Sequence, residues 1–101
     1  MPLTSKQVRT LRAESHRLNL KPVVLIGQNG LTENVMNELE QGLKHHELMK
    51  IRIPGLEKSA KKNLIDDLGA QLGAELIQVI GHTAVLYREN PDRGRFRKLV
   101  I

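Results

Sequence analysis

The chain has 101 residues, no cysteine, two aromatics (one Tyr and one Phe) and a formal net charge of +5. That length holds one domain with a modest core, and 40% apolar residues suit a folded chain better than a disordered one. Without thiols there is no disulfide framework, cysteine chemistry or common zinc site, as expected in a cytoplasmic protein; no run approaches the roughly 18 apolar residues of a membrane span, and Met1 to Lys6 lacks the apolar centre of a secretory leader.

Thr4 followed by Gln7 is a capping-box start, and Val8, Leu11 and Leu18 recur at helical spacing, so a first helix is predicted over about 5–18. At about 100° per residue these three occupy one flank, while Arg12, His16, Arg9, Lys6 and Arg17 fill the next. Pro22 suits the entrance of a strand. Val23 to Ile26 are apolar at every position, which predicts a central strand covered on both faces. The run stops at Gly27-Gln28-Asn29-Gly30, and Thr32 is a plausible helix cap, with Glu33 in the first turn and Leu31 stapling back. Val35, Met36, Leu39 and Leu43 form the inner stripe of this second helix, to about His45.

Leu48 to Ile53 alternates, with Met49, Ile51 and Ile53 facing in and Lys50 and Arg52 forming a basic outer row, until Pro54-Gly55 ends the strand. Ala60, Leu64, Ile65, Leu68 and Leu72 predict a third helix over about 57–72, closed by Gly73. Two strands follow, about 75–80 and 84–88, joined as a hairpin through Gly81-His82-Thr83. The order α-β-α-β-α-β-β predicts an α/β (α+β) fold with a four-stranded mixed sheet packed against helices. Residues 1–88 are expected to form the domain. Residues 89–101 form a basic tail whose turn signals leave room for mobility without a partner.

Charge is concentrated at the two ends. Residues 1–21 carry five bases against one acid and residues 88–101 five against two, while the 66 residues between hold six bases and eight acids. Nucleic acid is the expected partner, ahead of an anionic membrane, because no amphipathic helix carries bulky aromatic anchors. Two aromatics are too few for a base-stacking platform; Tyr87 is expected in the core, and Phe96 either stacks on a base or docks the tail. A Gly-x-x-Gly turn between strand and helix suits a phosphate chain, since glycine bares the backbone and the helix N-terminus directs N–H groups outward. Neither Gly-x-x-x-x-Gly-Lys-Ser/Thr nor Gly-x-Gly-x-x-Gly occurs. The histidines lack ligand spacing, with His46 expected at the core edge, and Asp66-Asp67 and Ser5, Ser15 and Ser59 form no catalytic constellation, so neither a cofactor nor an enzyme is expected.

Lys21 to Thr32, the helix from Val35 to Lys44, and Gln78 to Arg88 together resemble the CRM domain, specifically of the small bacterial YhbY type. The resemblance implies an RNA-binding fold similar to the C-terminal domain of a translation initiation factor, with a KH-like glycine loop on its RNA-contacting surface. It also implies association with precursors of the large ribosomal subunit, and plant relatives use the domain in organellar intron splicing. On the matching positions Gly27, Gln28, Asn29, Gly30 and Thr32 are the expected RNA-binding loop, with Lys21, Arg9, Arg12 and Arg88 as neighbouring charges. Gln28-Asn29 stands where many such loops carry Lys or Arg. A monomer is expected. The alternative is a protein-interaction module that meets an acidic partner through its basic surface and adds Leu99-Val100-Ile101 to a sheet edge.

Overall fold

The structure is a computed structural model that describes residues 3–100. Helix α1 (Ser5–Arg17) starts where the capping box predicts: the Thr4 hydroxyl accepts from Gln7 N–H at 3.2 Å, and the Gln7 side chain returns the bond to Thr4 N–H at 2.8 Å. Strand β1 (Pro22–Leu25) leads through the glycine turn into α2 (Glu33–His46), and β2 (Leu48–Arg52) into α3 (Lys58–Leu72). Gly73 closes α3 in the left-handed conformation, and β3 (Glu75–Ile80) and β4 (Thr83–Tyr87) form the predicted hairpin.

The four strands form one mixed sheet in the order β1-β2-β4-β3, with β1 parallel to β2 and the other neighbours antiparallel. The β1 expectation needs correction: β1 is an edge strand, not a central one. Val24 and Ile26 enter the core, whereas Val23 and Leu25 are 47% and 64% exposed. β2 and β4 take the centre.

Alternation along the strands divides the apolar residues between two faces. On one face, Val24, Ile26, Met49, Ile51, Ile53, Ala84 and Leu86 pack with Leu39 and Leu43 of α2 and Ile65, Leu68 and Leu72 of α3. Gly42 lets α2 come this close, because a Cβ there would lie 2.5 Å from the Met49 sulfur. On the other face, Leu48, Ile77, Val85 and Tyr87 pack with Leu11 of α1 and Phe96.

The segment after β4 folds back along this second face. Glu47, wholly buried and at a positive φ of 63°, ties it down. Its carboxylate accepts from Asn90 N–H at 3.2 Å and Arg95 N–H at 3.1 Å, and its carbonyl from Arg88 N–H at 2.9 Å. Phe96 is 6% exposed and meets Tyr87 edge to face, so it docks the tail. A short 3-10 turn, Arg97–Leu99, follows; Leu99 and Val100 pack into the same cluster rather than extending as a strand, and Ile101 lies outside the described residues. Among the described residues no helix is long and apolar enough to cross a membrane.

Candidate nucleic-acid interface

The Gly27–Gly30 turn forms at the end of β1, just beyond the point where Ile26 N–H donates to the Arg52 carbonyl at 2.9 Å. Gly30 N–H closes it onto the Gly27 carbonyl at 3.0 Å, with Gly30 at φ +73°. Thr32 then caps α2, its hydroxyl accepting from Val35 N–H at 3.2 Å. Gly27, Gln28 and Asn29 are exposed, and a Cβ on either glycine would meet nothing within 4 Å. Among the described residues no acceptor takes the N–H of Gln28, Asn29, Leu31, Glu33 or Asn34. These donors surround a helix N-terminus, the arrangement that favours an oxyanion; Glu33 is the one acid between Gly27 and Val35.

Sheet register decides which cations share that end of the molecule. Leu25 lies beside Arg52, and Arg52 beside Thr83, so the glycine turn, the Pro54-Gly55 bend and the β3–β4 hairpin emerge together. Exposed Arg52 is therefore a neighbour, and Lys61 reaches the same end, its ammonium donating to the Gly81 carbonyl at 2.5 Å. The structure does not bring Arg88 there. Five residues beyond Thr83, and so roughly 16 Å along the strand, Arg88 donates to Glu40 through both terminal nitrogens and to the Leu72 carbonyl at 2.9 Å. The Arg88 guanidinium in turn holds the Glu40 carboxyl below its usual range, against the opposing effect of burial.

Lys21 is exposed just ahead of β1, level with Lys50 and not with the turn. Helix α1 lies on the sheet face away from α2 and α3; Thr4 and Gln7 lie by Tyr87, and Ser15 and His16 by Thr83 and Ile80. Arg9 is exposed midway along it. Arg12 is one turn before His16, half-buried, with an Nε that finds no partner among the described residues. Arg52 and Lys61 were absent from the expected set; the alternation of Leu48 to Ile53 was the signal for the first, and nothing local marked the second.

The model of the CRS1 / YhbY (CRM) domain matches residues 3–88. This chain belongs to the CRM domain family. Its CRM relatives include an RNA-binding protein of Haemophilus influenzae, 41% identical over 89% of each chain. A Pseudomonas aeruginosa protein named Probable RNA-binding protein is 42% identical, over 94% of this chain and 89% of its own length. The chloroplastic CRS2-associated factor 2 of Oryza sativa subsp. japonica is 33% identical over 95% of this chain, which spans 16% of that longer protein. Among solved structures, a hypothetical protein from Staphylococcus aureus superposes with a TM-score of 0.75 at 38% identity, covering 86% of this chain and 88% of that one. The mixed sheet with three helices is thus the CRM fold.

Proposed function

We propose that this CRM protein is a non-enzymatic RNA-binding factor that contacts ribosomal RNA in precursors of the large subunit, acting as a cytoplasmic monomer, with residues 1–88 as the binding unit. The observation that carries the reading is the exposed turn 27–30, whose free N–H groups and bare α-carbons lie beside Arg52 on a family scaffold. The names of the Haemophilus and Pseudomonas relatives support the RNA partner. Gln28 and Asn29 add amides that can donate to phosphate or accept from ribose. Arg52 and Lys61 supply screening-sensitive attraction around it, and Arg12 and Arg9 extend the positive surface back along α1.

The reading is tested by titrating the protein with RNA over a range of salt. About five phosphate contacts at about 0.7 each predict that log K falls by roughly 3–4 per decade of salt. A slope near zero would remove the electrostatic basis of the proposal. Crosslinking in cells, followed by sequencing of the bound RNA, should recover large-subunit precursor sequences.

A further inference from the structure

Helix α1 and the tail cover only part of the second sheet face, and what they leave open borders the glycine turn. Leu25, Arg52, Thr83 and Ile80 are register partners, so they form one row across all four strands. Leu25 is 64% exposed, Ile80 is 58% exposed and Arg52 is exposed. Behind this row, Lys50, Gln78, Ser15 and His16 line a small pocket together with Ile80 and Thr83. The row and pocket contain bases and neutral polar groups but no acid. Leu25 stands two positions before Gly27, so the surface runs without interruption into the turn.

Resting on the RNA-binding reading above, we propose that this open face seats the bases of a single-stranded RNA segment whose backbone is held at the glycine turn. The row spans three strand spacings, roughly 14 Å, on a four-stranded sheet of the kind that elsewhere accommodates about two or three bases. Both aromatics of the chain are buried, so the contact differs from aromatic stacking: Leu25 and Ile80 offer aliphatic surface to the base faces. Arg52 and Lys50 stand between them to neutralise phosphate, and Gln78 and His16 present hydrogen-bonding groups at the border. Charge complementarity and continuity with the turn select RNA rather than an apolar protein segment as the occupant. Duplex RNA keeps its base faces stacked inside and cannot use the aliphatic row.

The test compares wild type, L25T/I80T and R52Q, using a labelled single-stranded uridine-rich 12-mer and a duplex of equal length. Threonine preserves strand preference while removing aliphatic surface. The double variant should bind the single strand about tenfold more weakly, with unchanged duplex affinity and an unchanged thermal midpoint. R52Q should lower the salt slope by about 0.7. On titration with the 12-mer, amide resonances of Leu25, Arg52, Ile80 and Thr83 should shift together with those of residues 27–32. Unchanged single-strand affinity in the double variant, equal losses on both RNAs, or shifts confined to the turn would each overturn the base-seating proposal and leave the face to a protein partner. If wild type binds neither RNA, the functional reading itself fails.

Discussion

Gly27 and Gly30 share a turn but answer different questions when substituted. Gly30 holds φ +73°, so Gly30→Asp adds backbone strain and should cost about 1 kcal/mol of stability besides any lost binding. Gly27 has open space and no such conformation, so Gly27→Asp should weaken RNA binding about tenfold at an unchanged thermal midpoint. Wild-type affinity in that variant would show that phosphate passes elsewhere. Arg88 calls for the opposite outcome. Arg88→Ala strands Glu40 and the Leu72 carbonyl, which should cost about 1–2 kcal/mol in urea denaturation without changing RNA affinity. The turn and its Thr32 cap were legible because their geometry is local to a few residues. The partner of Arg88 was not, because Glu40 reaches it only through the packing of α2 beside the end of β4.

At the scale of elements, the three helices and four strands follow from apolar period and punctuation, and their observed limits stay close to the predicted ones. The position of β1 in the sheet does not. Four successive apolar residues resemble a strand buried on both sides, yet only Val24 and Ile26 meet the helices. A sequence gives no means of distinguishing apolar side chains retained for a core from those held at a surface. The tail shows the same limit: its turn signals are real, but the Glu47 carboxylate and the Tyr87 ring that capture it lie more than 40 and nearly 10 residues away from their contacts at Arg95 and Phe96. Phe96→Ala should therefore cost about 3 kcal/mol, measured by chemical denaturation, with loop-dependent RNA binding retained at temperatures where the variant stays folded. An unchanged denaturation midpoint would mean that the tail adds nothing to the second cluster.

For the whole molecule, acid should act in two stages. His46, on the inner edge of α2, is pushed below its usual value of 6.5 by burial and then by the charges of His45, Arg95 and Arg93. The unfolded chain thus binds a proton there more readily than the folded one, and this contribution, complete above about pH 6.5, is lost as pH falls through the folded value. Glu40 follows the same sign in a lower window: its contribution is present above about pH 4.5 and declines as the paired carboxylate protonates. Urea midpoints measured from pH 8 to pH 3 should fall in both windows; His46→Leu should flatten the upper one and Glu40→Gln the lower. A His46→Leu curve parallel to wild type would remove His46 as the source.

The bond from the Gln7 amide to the Val100 carbonyl, with Leu3 and Val100 lining one cavity, brings the beginning and end of the folded body to a single corner. A polypeptide entering there can leave from the same place, as a bead hangs from one loop of thread. That geometry lets such a unit be spliced into a much longer chain without parting any strand of its sheet, consistent with the rice factor, of which the matched stretch is only 16%.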